Sequence, residues 1–382
     1  MKRLCVKNGI DNISTVKEIL KGKRIGLITN HTGVNKELVS TIDILNGISD
    51  IRYLFAPEHG VRGDAQAGEI IESSVDTKTG IKIHSLYGVS HNIPDDILNE
   101  LDVVVFDIQD VGARYYTYIY TLSYAMEDCA RAGKKMIVLD RINPIGAVKV
   151  EGTVLNKDFA SFVGRYPIAA RHGLTVGEFA GFINKTQNIN CDLMVVKATG
   201  WKRDAFFDQT DLIWISPSPN LPTVDSCFCY AGTCLFEGTN VSEGRGTANP
   251  FEVIGSPWLN SEKTVQKFNL LNLPGVVLRK TTFVPTFSKY SEERCNAVQL
   301  CITDKKSFKP FETALRLLLI IKEEHSEFRF NPPDKNGTYF FDRLLGTDAL
   351  RHNDFNIETF LSQEQEKLNE YKKLITPFMI YK

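Results

Sequence analysis

The 382-residue sequence has no apolar run long enough to span a bilayer, no low-complexity tract, no block of like charge and no internal repeat. These absences exclude an integral membrane helix, a charged tail and a solenoid. A charge excess is also missing. Lys and Arg number 45 against 46 Asp and Glu, a formal net charge of −1, so bulk electrostatics favour neither nucleic acid nor an anionic membrane as a partner. The opening "MKRLCVKNGIDNIS" has a basic end but lacks the apolar core of an export signal. As it stands the sequence reads as cytoplasmic, with a secreted or periplasmic location as the alternative if such a signal was trimmed.

Several motifs are absent too. No G-x-G-x-x-G follows the first strand-like run, and "GTNVSEGRGT" has the wrong gap for a phosphate loop, with Arg245 where a lysine belongs. Glu58, His59, Asp64, Asp107 and Asp110 could together take a hard cation, but their spacing matches no metal motif; the acids of "DIQDVGAR" can equally cap helices and pair with Arg114. Eight cysteines lack the paired C-x-x-C knuckles of a zinc ribbon and read as buried free thiols. The expectation is therefore no cofactor and no metal.

What is present is alternation. "KRIGLIT", "IRYLFA", "KIHSLY", "DVVVFDI", "KMIVLD" and "DLMVVK" are short aliphatic runs without clean period-two patterning, as in strands buried on both faces. Between them, "KELVSTIDILNG", "TYIYTLSYAMEDCARAGK" and "LTVGEFAGFINKT" read as helices. The second is stopped by Gly133, and the third is started by a Thr175–Glu178 capping box. This is an α/β pattern: a Rossmann-like, mostly parallel sheet with helices on both faces, over residues 1–255. Beyond "SPWLN", two further strand-like runs and two long helices predict a smaller α+β domain over 256–382.

In such sheets ligands bind beyond the carboxyl ends of the strands. Those ends carry Asn30; then Glu58, His59 and Arg62; then Asp107, Gln109, Asp110 and Arg114. "APEHGVRGDAQAGE" is the most telling segment. It ends a buried strand and at once presents a carboxylate, an imidazole and a guanidinium on a glycine-loosened loop. Glu58, beside apolar Phe55 and Pro57, is placed for the desolvation that favours the protonated form a general acid needs. Tyr115, Tyr116, Tyr118 and Tyr120 cluster in "ARYYTYIY"; some can stack on a sugar ring, while at least half are expected in the core. Arg165, Arg171 and His172 precede the capped helix and suit an anionic group, and Glu243 with Arg245 suits a loop that closes on a ligand.

Taken together, "GKRIGLITNHTGV", "APEHGVRGDAQAGE", "SLYG", "DVVVFDIQDVGARYYTYIYTL", "RYPIAARHGLTVGE" and "FEGTNVSEGRGTANPFEVIGSPW" resemble the bacterial exo-β-N-acetylmuramidase family, formerly a domain of unknown function, in order and over nearly the whole chain. The resemblance implies a glycosidase that releases N-acetylmuramic acid from the non-reducing end of peptidoglycan fragments. It also implies a site in the cleft between two domains, and Glu58 in "APEHG" as the catalytic glutamate. A lyase acting on the same linkage, a metal-dependent phosphoesterase using Asp107 and Asp110, and a non-catalytic cell-wall sugar-binding module are the alternatives. Among the arginines, Arg171, then Arg165, then Arg245 are the expected readers of the lactyl carboxylate that distinguishes muramic acid from glucosamine.

Overall fold

The computed structural model describes residues 3–58, 60–62, 74–88, 91–352 and 354–382. His59 and Asp64, named above, lie outside them. In the first part, strands β1 (Arg24–Thr29), β2 (Asp50–Ala56), β3 (Ser74–Val75), β4 (Lys82–Ser85), β5 (Val103–Asp107), β6 (Lys135–Leu139) and β9 (Asp192–Val196) form one sheet in the order β3-β4-β2-β1-β5-β6-β9. All neighbours are parallel except β3 with β4. A two-stranded antiparallel ribbon, β7 (Glu151–Val154) and β8 (Ala169–Arg171), lies between β6 and β9 in the chain. β5 is buried at every position and β1 at all but its first, which is why their sequences do not alternate.

Helices α1 (Ile13–Leu20), α2 (Thr41–Asn46), α3 (Asp95–Asn99), α4 (Tyr118–Arg131) and α5 (Val176–Thr186) surround that sheet. The Thr175–Glu178 capping box forms in both directions, and Gly133 ends the turn after α4 at φ +62°. The helix expected over "KELVSTIDILNG" is shorter. Leu38 takes a left-handed φ of +64°, and Ser40 caps α2 by accepting from the Ile42 amide, so the helix begins only at Thr41.

The remainder forms a smaller domain with its own antiparallel sheet. Its strands are β10 (Val253–Ser256), β11 (Val276–Phe283) and β12 (Cys295–Ile302), in the order β10-β12-β11. Its helices are α6 (Val224–Thr233), α7 (Ser261–Leu270), α8 (Pro310–Glu324), α9 (Phe340–Leu345) and α10 (Ile357–Ile375). The boundary expected at 255/256 cuts through β10, which pairs with β12. Upstream of it, α6 already packs on α8, so closely that a Cβ on Gly232 would stand 2.0 Å from the Pro310 carbonyl oxygen. Cys227, Cys229 and Cys234 are buried free thiols in this contact. Among the described residues no helix is long and apolar enough to cross a membrane.

Candidate active site

Glu58 follows β2 by two residues and faces a cavity of about 150 Å³ between the two domains. The first domain supplies Glu58, Tyr87, Tyr115, Tyr116, Thr117 and Phe162; Ser218 and Asn220 come from the connecting segment; Tyr230, Glu237, Arg245 and Phe251 come from the second. The carboxylate of Glu58 accepts from the Thr117 hydroxyl at 2.9 Å and the Tyr87 hydroxyl at 3.2 Å, while Tyr118 donates to its main-chain oxygen at 3.2 Å. Burial, reinforced by the Glu58 carboxylate, pushes the Tyr87 phenol up to about 12, so it stays a donor.

Aromatic side chains form much of the wall. Tyr116 meets Tyr230 edge-on at 6.1 Å, and Tyr230 meets Phe251 at 4.8 Å. Tyr116 is tied down by a 2.8 Å bond to the Pro217 carbonyl. Tyr115 is not: its hydroxyl is buried and has no partner among the described residues. An orphaned hydroxyl on a cavity wall is costly unless a ligand completes it. Tyr118 and Tyr120, by contrast, bond main-chain oxygens and stay in the core, so half of the tyrosine cluster reaches the cavity.

The charged pole is Arg245. It bonds Glu237 at 2.6 Å, stands 3.4 Å from Glu243 and lies over the Phe251 ring. Glu243 is in turn held by Lys289 at 2.9 Å. Burial holds the Glu237 carboxyl above its usual range, against the opposing pull of Arg245. Glu237, Tyr87, Thr117, Tyr230, Phe162 and Asn220 were not singled out from sequence. Tyr87 and Glu237 do fall inside the quoted segments "SLYG" and "FEGTNVSEGRGT", whose polar and aromatic residues next to glycine were the available signal.

Several expected site residues are placed elsewhere. Asp107 is buried against Arg141, and Gln109 donates to the carbonyls of Asp110 and Ile142. Asp110 lies 3.3 Å from His172 and caps the Gly112 amide. Asn30 is buried and accepts from Thr32. Arg62 forms a two-bond pair with Asp76. Arg114, fully buried, donates to the carbonyls of Thr153, Ile168 and Leu344. Arg171 is buried and bonds the Ile145 carbonyl, and Arg165 pairs with Glu127. Glu243 stands behind Arg245 rather than on the wall. None of these lines the Glu58 cavity among the described residues. The reason is general: a guanidinium near a strand end satisfies itself on unpaired loop carbonyls as readily as on a ligand. Of the named candidates, Glu58, Tyr115, Tyr116 and Arg245 are brought together.

Comparison with known proteins bears on this geometry. The family model described as "Exo-beta-N-acetylmuramidase NamZ, N-terminal" matches residues 25–225, and its C-terminal counterpart matches 228–381. The chain belongs to the NamZ exo-β-N-acetylmuramidase family. A relative in Bacillus subtilis (strain 168), described as peptidoglycan beta-N-acetylmuramidase NamZ, is 46% identical over 100% of this chain and 92% of its own length. Two crystal structures of DUF1343 family proteins from Bacteroides fragilis NCTC 9343 share the fold. One has a TM-score of 0.89 at 35% identity, covering 100% of both chains; the other has 0.78 at 29%, covering 99% of both. The two matched regions meet inside α6, and each supplies residues that line the Glu58 cavity of this chain.

Proposed function

We propose that the protein is an exo-acting glycosidase that releases N-acetylmuramic acid from the non-reducing end of peptidoglycan fragments, with Glu58 as general acid. The observation that carries this reading is Glu58 itself. A hydrogen-bonded carboxylate sits at the end of a buried strand, in an aromatic-walled cavity that an arginine also lines. Tyrosine rings suit the faces of a sugar, and a small cavity between two walls suits a single terminal residue. Family membership weighs against the lyase, phosphoesterase and binding-module readings. The deciding experiment offers chromogenic glycosides of N-acetylmuramic acid and of N-acetylglucosamine. Turnover of the first, with a hydrolysed rather than an unsaturated product, is expected; turnover of the second alone, or of neither, would reject the proposal.

Arg245 is the reader of the lactyl carboxylate in this proposal, in place of Arg171 and Arg165. It lines the cavity, and its present partner Glu237 is a carboxylate that the substrate's own can replace. Charge-assisted hydrogen bonds contribute roughly 1.5–3 kcal/mol. Arg245→Met is therefore expected to lower the ratio of kcat/KM for muramic acid over glucosamine glycosides by about ten- to a hundred-fold. An unchanged ratio would remove Arg245 from this role.

Tyr115 gives a smaller, cleaner test. Its hydroxyl bonds nothing in the described protein, so Tyr115→Phe is expected to leave stability unchanged or raise it, by up to about 1–3 kcal/mol. If the hydroxyl bonds the sugar, kcat/KM should fall about five-fold, the worth of one neutral hydrogen bond. A loss of thermal stability with normal turnover would mean the hydroxyl serves the fold.

A further inference from the structure

The aromatic lining of the Glu58 cavity divides by depth. Tyr115, Tyr116, Tyr230 and Phe251 are buried and form its inner part. Tyr87 and Phe162 are half-buried, as is Glu58 itself, and lie nearer the surface. Val163 accompanies them. These two residues, Phe162 and Val163, are the tip of a tight turn in the loop from β7 to β8. Ser161 and Gly164 close that turn with reciprocal main-chain bonds of 2.9 and 3.1 Å. Turn tips ordinarily carry glycine, proline, asparagine or aspartate, so the turn itself asks for neither apolar side chain.

Phe162 is braced from behind. The His91 ring stacks on it at 4.4 Å with 9° between the planes, and Tyr124 continues the stack at 5.2 Å from His91. The Arg165 guanidinium covers Tyr124 at 3.8 Å and is fixed by Glu127. His91 is itself fixed, because Nδ1 donates to the Leu86 carbonyl at 3.1 Å. With His91 against one face, the ring of Phe162 has its other face left for the cavity it lines. Tyr87 stands beside it at 6.0 Å, with its hydroxyl engaged by the Glu58 carboxylate. A four-layer stack that ends on a cavity wall holds one aromatic face in a set orientation.

We propose that Phe162 is the platform for the leaving sugar, the N-acetylglucosamine that follows the terminal muramic acid in peptidoglycan. The proposal rests on the glycosidase reading and adds a second sugar site to it. A general acid gives its proton to the glycosidic oxygen as the bond to the anomeric carbon breaks, so Glu58 must stand between the sugar released and the sugar left behind. In an exo-acting site the released sugar has nothing beyond it and takes the inner end, while the rest of the chain leads outward. The buried tyrosines fill the first role. Arg245, the reader of the lactyl group, lies over Phe251 in that inner set. On the outer side, Tyr87 spends its hydroxyl on Glu58, and the open ring face of Phe162 is the surface on which a sugar can stack.

The test compares two donors in the full chain. One is the β-linked disaccharide of N-acetylmuramic acid on N-acetylglucosamine. The other is β-N-acetylmuramyl fluoride, in which water replaces fluoride and no second sugar is present. In Phe162→Ala the ratio of kcat/KM for the disaccharide over the fluoride is expected to fall by about ten-fold. Phe162→Tyr keeps the ring and should hold the ratio near the wild-type value. His91→Ala removes the ring behind Phe162 and should lower the ratio by less than Phe162→Ala does. If the alanine variant does not fold, Phe162→Leu carries the test, since it keeps apolar volume and lacks the flat face. An unchanged ratio, or an equal fall for both donors, would overturn the leaving-sugar site and leave the glycosidase reading standing. Hydrolysis of neither donor by the unaltered protein would overturn that reading, and this site with it.

Discussion

Glu58→Gln is expected to lower turnover of a muramic acid glycoside by about 10²–10⁴-fold, with the protein still folded. The size follows from what is removed. Glutamine fills the same space and can still bond Thr117 and Tyr87, two hydroxyls of the described residues that bond the carboxylate. It cannot deliver a proton to a leaving oxygen. Were Glu58 only a hydrogen-bonding partner of a sugar hydroxyl, the loss would be nearer about five-fold, because one ordinary hydrogen bond contributes about 1 kcal/mol. The magnitude therefore separates the two roles. The alkaline limb of the pH–rate profile is a second reading, because a general acid works only while protonated. It should flatten in Glu58→Gln if this carboxyl is the titrating acid, and persist if another group is. A variant that keeps most of its rate would remove Glu58 from catalysis.

Legibility in the sequence divided along physical lines. The parallel strands were readable because continuous aliphatic runs have one economical home, a sheet covered on both faces, and β1, β5 and β6 take it. The start of α5 was readable because a capping box is a local device whose partners lie three residues apart. The overlong reading of α2 failed on one local feature, the left-handed Leu38, which no apolar spacing signals. The domain edge expected at 255/256 falls inside β10, and α6, upstream of it, packs on α8, more than seventy residues further along the chain.

The site divided differently. Glu58, Tyr115, Tyr116 and Arg245 were named and do converge, from segments far apart in sequence. Arg114 and Arg171 were named on the same kind of signal and do not, because a polar residue after a strand marks an edge of the sheet, not the direction of its side chain. Glu237 escaped notice because its role depends on Arg245 across a turn. Local sequence marks where chemistry can occur; the tertiary contacts of each guanidinium decide whether it does.

Asp107 shows how far that distinction reaches, and Arg141→Met is expected to destabilise the protein by about 3–5 kcal/mol while leaving activity per folded molecule nearly intact. From sequence, Asp107 looked like a ligand-facing acid at the end of a buried strand. In the fold it is fully buried, and Arg141 donates to it through Nε at 2.6 Å and Nη2 at 2.9 Å. Thr41 adds a third bond at 2.5 Å, and Arg141 also bonds the Val34 carbonyl. The pair thus joins the ends of β5 and β6 to the loop after β1, at the carboxyl edge of the sheet. Methionine at 141 fills part of the volume but strands a buried carboxylate with one hydroxyl for company. Breaking one side of a buried pair costs more than the pair itself contributes, since the desolvated partner remains. The cycle that isolates this effect adds Asp107→Asn. The double variant should be more stable than the sum of the two single losses predicts, because no unpaired charge is left. Strict additivity of the two losses would show that the pair is not coupled. Normal stability of Arg141→Met, together with lost turnover, would return Asp107 to the ligand-facing role that its position after the strand first suggested.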